Sequence, residues 1–185
     1  KLFVEIAEKT KGQPQKPFSE LTVAECRAGA DLFAAYAGAA ADVPYRNTTA
    51  PARDGYPIPI RIFNPDYDAS KPMYIAYPGC GYILPLFESN AIAISRVAAY
   101  ADVKVIAVDY RICPEVAVST AIDDAYDATK YIAQHSKEFN IDPNKIIIGG
   151  ISSGAHAAAC VTSMSRYDDE LNIMHQILLN GMHAL

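Results

Sequence analysis

The stretch from Lys145 to Ala159 restricts the fold of this chain more than any other. A short apolar run, residues 146–148, leads into two glycines, and a segment of small residues that is typical of a helix follows at once. Between them lies Gly150-Ile151-Ser152-Ser153-Gly154, a G-x-S-x-G sequence in a strand–turn–helix setting. Such a sharp turn needs neighbours that are nearly free of side chains, and it holds the serine in a strained backbone conformation. The pattern predicts a buried strand, a tight turn and a helix.

The serine at this turn is the candidate nucleophile of the chain. The geometry would place Ser152 Oγ above the sheet, at the N-terminus of the following helix. There the helix dipole and the N–H group of Ser153 would face a developing negative charge. The alternative is an ordinary serine in a strand–turn–helix connection, and other parts of the chain are needed to decide.

Composition narrows the class of protein. A chain of 185 residues with 51% hydrophobic content supports one core. Its net charge of −5 and the scattered positions of its 16 Lys and Arg argue against a nucleic-acid surface. No apolar run reaches membrane-spanning length, and nothing indicates an oligomeric state. The cysteines are far apart and lack metal-ligand spacing, so we expect no metal or cofactor, and a reducing, cytoplasmic location: Cys26, Cys80, Cys113 and Cys160.

The N-terminal region is predicted to be helical and separate from the rest. Residues 1–11 can form an amphipathic helix that stops at Gly12. Thr22 and Glu25 have the spacing of a capping box, which predicts a second helix running to about Tyr36. We therefore expect a helical unit over residues 1–41 and a strand-rich core over residues 42–185.

A hairpin should open the core. Residues 44–52 and 56–63 flank Arg53-Asp54-Gly55, which is a turn signal. Ile58, Ile60 and Ile62 alternate as in a half-buried strand, and the prolines at positions 57 and 59 predict that this strand lies at a sheet edge.

From residue 72 onward, strands alternate with helices. Strands are predicted at 73–77, 103–109, 146–148 and 173–179, with helices near 88–100 and 120–135. This order is typical of a mostly parallel α/β sheet that is covered on both faces. Ligands of such sheets bind at the carboxyl ends of the strands, where both Gly79-Cys80-Gly81 and Ser152 fall.

The motifs in this order resemble the hormone-sensitive-lipase-like branch of the α/β-hydrolases, a group of carboxylesterases and lipases. The resemblance implies an α/β-hydrolase fold with N-terminal cap helices. The matching segments are Tyr77-Pro78-Gly79-Cys80-Gly81-Tyr82 for His-Gly-Gly-Gly-Phe, Val108-Asp109-Tyr110-Arg111-Ile112-Cys113-Pro114-Glu115 for Val-Asp-Tyr-Arg-Leu-Ala-Pro-Glu, Ala121-Ile122-Asp123-Asp124-Ala125-Tyr126 for the next helix, and residues 150–154 for Gly-Asp-Ser-Ala-Gly.

The resemblance implies hydrolysis of a small-molecule ester through an acyl-serine intermediate, with Ser152 as nucleophile. The N–H groups of Cys80, Gly81 and Ser153 would form the oxyanion hole, and Gly79 and Tyr82 would contact substrate. The alternatives are an ordinary turn at Gly79-Cys80-Gly81 and a core position for Tyr82, since an aromatic residue after a glycine turn is at least as often buried. Losing one such donor typically costs about 3 kcal/mol of transition-state stabilisation.

The chain also departs from the family pattern. Pro78 stands at the family's His, Cys80 at a Gly and Ile151 at an Asp, which together favour an atypical or weak enzyme. The triad order is Ser, Asp or Glu, then His, and the resemblance implies that the last two follow residue 185. We therefore expect an N-terminal part of an esterase that is inactive alone and buries its last strand badly. His156 would be a packing or hydrogen-bonding residue, and His183 does not align with the catalytic His.

The same departures leave a second class open. A non-catalytic ligand-binding protein on this fold, as in the gibberellin receptor, would also keep the loop and the turn. Asp109, Arg111 and Glu115 are expected to be structural in either class, bracing their loop by ion pairs.

Overall fold

The computed structural model describes residues 16–28, 30 and 37–181. Their strands are β1 Tyr45–Pro51, β2 Pro57–Phe63, β3 Met73–Tyr77, β4 Lys104–Val108, β5 Ile146–Ile151 and β6 Ile173–Leu179. They form one six-stranded sheet in the order β1-β2-β4-β3-β5-β6. The β1–β2 and β2–β4 pairs are antiparallel, and the β4–β3, β3–β5 and β5–β6 pairs are parallel.

Helices cover both faces of this sheet. The described helices are α1 Val23–Ala28, α2 Phe87–Tyr100, α3 Val118–Gln134, α4 Ser136–Phe139 and α5 Ser153–Ser165, and a 3₁₀ turn spans Phe18–Glu20. Helix α2 packs on one face, against β4, while α3 and α5 pack against each other and the opposite face. The predicted α/β class with a mostly parallel sheet is confirmed.

The hairpin is present, but its predicted position in the sheet was wrong. Ile58, Ile60 and Ile62 are buried as expected. The edge strand is β1, however, and β2 lies between β1 and β4. The carbonyl of Pro59 accepts the Asp109 N–H at 2.9 Å, so the proline ring nitrogens also face the β4 side. They are tolerated there because the β2–β4 ladder starts only at Ile60.

The predicted capping box is also present. The Glu25 N–H donates to Thr22 Oγ1 at 3.2 Å, and the Thr22 N–H donates to Glu25 Oε2 at 2.8 Å. These reciprocal bonds satisfy two N–H groups at the start of α1. The helix predicted over residues 1–11 and most of the continuation to Tyr36 lie outside the described residues.

The last strand is poorly covered, as the sequence predicted. Strand β6 pairs with β5 along one side and is the edge of the sheet. Ile177 is 46% exposed and Leu179 54% exposed. Both lie on the face that α2 covers further along the sheet, because they pair with Gly149 and Ile151 of β5.

One buried ion pair fixes the loop after β4. The Asp124 side chain is 1% exposed and accepts hydrogen bonds from the Arg111 backbone N–H and guanidinium at 2.7–3.0 Å. We expect Asp124→Asn to lower the free energy of unfolding by about 2 kcal/mol, because charge-assisted bonds to a buried group are lost. Urea denaturation measures this. Asp123→Asn removes only the exposed ion pair with Arg53, so it should change the free energy of unfolding by less than about 1 kcal/mol.

Candidate active site

Ser152 occupies the tight turn between β5 and α5. Its backbone has φ +56° and ψ −121°, a conformation that residues with a side chain rarely adopt. Neighbouring main-chain groups hold it, since the Ser152 N–H donates to the Leu179 carbonyl at 2.8 Å and the Ser152 carbonyl accepts the His156 N–H at 3.1 Å. The side chain is half-buried. The turn predicted by the G-x-S-x-G sequence is therefore formed, with the strain located at the serine.

The loop after β3 lies directly against this turn. The Cys80 N–H donates to Ser153 Oγ at 2.9 Å, and a Cβ placed on Gly79 would lie 2.6 Å from the Ile151 carbonyl oxygen. Only glycine allows so close an approach at position 79. The two special segments of the sequence thus meet at one edge of the sheet, because β3 and β5 are parallel neighbours.

Two main-chain donors at this edge are free. The N–H groups of Gly81 and Ser153 donate to no acceptor among the residues that the structure describes. Gly81 has φ +59° and faces open space, and Ser153 begins α5, where the first N–H groups have no partner within the helix. The third predicted donor, the Cys80 N–H, is instead bonded to Ser153 Oγ. The resting site therefore offers two donors rather than three.

Asn90 of α2 holds the loop in place, although no sequence pattern points to this residue. Its Oδ1 accepts the Gly79 N–H at 3.1 Å, and its Nδ2 donates to the carbonyls of Gly79 and Leu86 at 3.1 and 2.8 Å. The Tyr110 hydroxyl donates to the Pro78 carbonyl. These contacts anchor the loop from both sides, so it stays ordered although Pro78 supplies neither the side chain nor the N–H of the family's histidine.

Tyr82 requires a correction, because its side chain is almost fully buried. The residue is 5% exposed and belongs to the buried core. Its hydroxyl donates to the Ser153 carbonyl at 3.0 Å and lies 2.8 Å from His156 Nδ1, and burial raises the pKa of this phenol. The predicted substrate contact is thus a packing residue of the core, and His156 is the hydrogen-bonding residue that the sequence predicted.

The described residues include a candidate nucleophile, but none of them is placed to act as its base. None of them hydrogen-bonds to Ser152 Oγ. His156 is engaged with Tyr82 and lies 3.6 Å from Cys160 Sγ. His175 pairs with Ile147 of β5, about 13 Å below the level of Ile151 at 3.3 Å per residue. His183 lies outside the described residues.

Arg27 ties helix α1 to the loops of the site. Its guanidinium donates to both carboxylate oxygens of Glu115 at 2.6 Å and to the carbonyls of Ile83 and Cys113 at 3.0 and 2.8 Å. The hydrogen bonds from Arg27 lower the pKa of Glu115 to about 2. The structural role predicted for Glu115 and Arg111 is confirmed.

A cavity of about 520 Å³ lies beside the loop. Pro78, Cys80 and Tyr110 contribute to its wall, whereas Ser152 and Gly81 do not. Asp109 also lines it and forms no ion pair or side-chain hydrogen bond with any described residue, unlike the bracing role predicted for it. Burial, with a smaller contribution from the charge of Glu88, raises the pKa of Asp109 to about 6 against the opposing effect of Arg61.

Because of this raised pKa, we expect Asp109→Asn to increase the free energy of unfolding by an amount that depends on pH. Asp109 binds its proton more tightly in the folded protein than in the unfolded chain. Protonated Asp109 therefore contributes fully to the free energy of unfolding below about pH 4, and this contribution is lost as the pH rises through about 6. We expect the variant to be more stable than the wild type by about 2 kcal/mol at pH 8 and equal to it near pH 4. Urea denaturation at the two pH values checks this, and a gain of equal size at both would contradict it.

The described residues contain neither a group of metal-binding side chains nor a membrane-spanning helix. Within residues 16–28, 30 and 37–181, no three His, Cys, Asp or Glu side chains are grouped closely enough to hold a metal ion. In the same part of the chain, every helix is too short or too polar to span a membrane.

Comparisons with known proteins point to one family. Residues 74–185 match the family model described as alpha/beta hydrolase fold. An arylesterase from Saccharolobus solfataricus is 32% identical over 125 residues, which are 67% of this chain and 40% of that protein. Ethyl acetate hydrolase from Pseudomonas putida is 28% identical over 160 residues, which are 84% of this chain and 50% of that protein. The chain spans half or less of the length of these curated relatives.

Two solved structures agree with the sequence matches. The hyperthermophilic esterase from the archaeon Pyrobaculum calidifontis superposes with a TM-score of 0.83 at 27% identity, over 97% of this chain and 58% of that chain. A thermophilic carboxylesterase cloned from a metagenomic library superposes with a TM-score of 0.81 at 28% identity, over 91% of this chain and 58% of that chain.

Proposed function

Because the chain belongs to the α/β-hydrolase family, we propose that the full-length protein is a serine carboxylic ester hydrolase with Ser152 as its nucleophile. The observation that carries the proposal is the meeting of two segments at one sheet edge. A strained serine at the N-terminus of α5 lies beside a loop with a free Gly81 N–H, and the Ser153 N–H is free next to it. A nucleophile beside preorganised donors is the arrangement that acyl transfer requires.

The proposed reaction has two halves. Ser152 Oγ attacks the ester carbonyl carbon, its proton passes to a base, and the carbonyl electron pair moves onto oxygen. The N–H groups of Gly81 and Ser153 then stabilise this oxyanion. Its collapse breaks the bond to the alcohol oxygen, which takes the proton from the protonated base, and leaves an acyl-serine. Water attacks the acyl-serine in the same way and releases the acid. We propose that this base is a His, oriented by an Asp, that the full-length protein supplies.

The names of the relatives support a small-molecule ester as substrate. One is an arylesterase and another an ethyl acetate hydrolase, and neither name indicates a polymeric substrate. All four cysteines are free thiols, which supports a reducing compartment such as the cytoplasm. We also propose that residues 1–41 form a cap and residues 42–185 the core. The hydrogen bonds from Arg27 to Glu115 and to the Cys113 carbonyl support this division, because they attach the first part to the second.

The test is hydrolysis by the full-length protein. A series of 4-nitrophenyl esters of increasing acyl length is incubated with the purified protein, and release of nitrophenolate is followed. We expect saturable turnover for at least one acyl length, with an initial burst of nitrophenolate when acyl-serine hydrolysis is slower than its formation. Saturable binding that leaves every ester intact would instead indicate a ligand-binding protein on this fold.

A further inference from the structure

The hydroxyl of Ser153 is fully buried beneath the loop and accepts one of its main-chain donors. Ser153 is 0% exposed, and its Oγ lies 2.9 Å from the Cys80 nitrogen. The same oxygen lies 3.3 Å from the Tyr110 hydroxyl and 3.7 Å from Cys80 Sγ, either of which can accept the Ser153 proton. A main-chain N–H makes one strong hydrogen bond, so the Cys80 donor is already occupied in the resting protein.

The loop does not depend on this bond for its position. Two bonds join Asn90 to Gly79, and the Tyr110 hydroxyl holds the Pro78 carbonyl. The N–H groups of Ile83 and Leu84 donate to the Cys80 carbonyl at 3.2 and 3.0 Å. Loss of the Ser153 hydroxyl would therefore release the Cys80 N–H while leaving the loop in place.

We propose that the Ser153 hydroxyl competes with the oxyanion for the Cys80 N–H and so limits the strength of the oxyanion hole. This inference rests on the proposed function, because it needs Ser152 to form a tetrahedral intermediate. The oxyanion must displace Ser153 Oγ before it can use the third donor. An N–H that is unpaired in the ground state and paired only in the transition state lowers the barrier directly, whereas one that is already paired does not.

The inference predicts a faster enzyme after a simple truncation. Because one oxyanion donor is typically worth on the order of a hundredfold in kcat, we expect Ser153→Ala in the full-length protein to raise kcat by about tenfold or more, with KM little changed. Ser153→Cys, whose thiol is a weaker acceptor, should give a smaller increase. The readouts are kcat and KM for 4-nitrophenyl ester hydrolysis and the rate of inactivation by a fluorophosphonate.

Ser95→Ala is the matched control. Ser95 of α2 is also buried, and its Oγ accepts the N–H of Ala41, a loop residue, at 2.9 Å. Both alanine variants should lose similar thermal stability, but only the Ser153 variants should react faster. An unchanged or slower reaction of Ser153→Ala and Ser153→Cys, in a wild type that does react, overturns the inference alone. A wild type that neither hydrolyses esters nor reacts with the phosphonate removes the proposed function and this inference with it.

Discussion

Replacing Ser152 by alanine in the full-length protein is expected to lower kcat for ester hydrolysis by about 10⁴-fold or more, because the proposed nucleophile that forms the acyl intermediate is lost. The measurement is nitrophenolate release under saturating ester. The fold should be kept, since alanine removes only a hydroxyl that bonds to no described residue, although the φ of +56° remains unfavourable. Circular dichroism and the unfolding midpoint report on the fold separately from the activity.

Ser163→Ala is the control for this variant. Ser163 lies on the same helix and is exposed, so its loss should leave both kcat and stability unchanged. Retention of more than about a tenth of the wild-type kcat by a folded Ser152→Ala protein would contradict the assignment of the nucleophile.

Gly154→Ala is expected to destabilise the protein by about 3 kcal/mol or more, although the same change inside an ordinary helix stabilises by about 1 kcal/mol. A Cβ at this position would lie 2.0 Å from the Tyr77 carbonyl oxygen and 2.8 Å from that of Pro78. Both atoms are main-chain atoms at the end of β3, so the strand and the loop must move. We expect kcat to fall as well, because this movement shifts the Gly81 donor.

Gly55→Ala separates backbone strain from close contact. Gly55 has φ +86°, but a Cβ there would meet no atom within 4 Å. Its replacement should cost about 1 kcal/mol and leave kcat unchanged. Urea denaturation of the two variants decides the point. Equal losses for Gly55→Ala and Gly154→Ala would show that the turn between β5 and α5 has room for a side chain, and would contradict the close contact of Gly154 with the end of β3.

The sequence predicted the fold well because its signals are local. Alternating Ile58, Ile60 and Ile62 and the short apolar run at 146–148 show which residues face the core, and the structure buries most of them. The error at Pro57 and Pro59 has a physical cause. A strand tolerates proline where the neighbouring strand needs no N–H donor. Positions 57 and 59 meet this condition because the pairing of β2 with β4 starts only at Ile60, which the sequence of β2 does not show.

The site was less predictable because its contacts join distant residues. The spacing of the motifs brought Ser152 and the loop to the same sheet edge, where the structure places them in contact. Nothing near Asn90 in sequence shows that its amide clamps Gly79. Likewise, the sequence does not show that the hydroxyl of Ser153, at the position of the family's alanine, accepts the Cys80 N–H, because the direction of that N–H depends on the fold.

The most direct measurement is the position of the covalent adduct that a fluorophosphonate forms with the full-length protein. After proteolysis, mass spectrometry locates the phosphonyl group within the peptide that carries Ser152 and Ser153. We expect one adduct, on Ser152, at the strained turn beside the free N–H groups of Gly81 and Ser153. An adduct on the buried Ser153 or on another serine would contradict it, as would the absence of any adduct on an active protein.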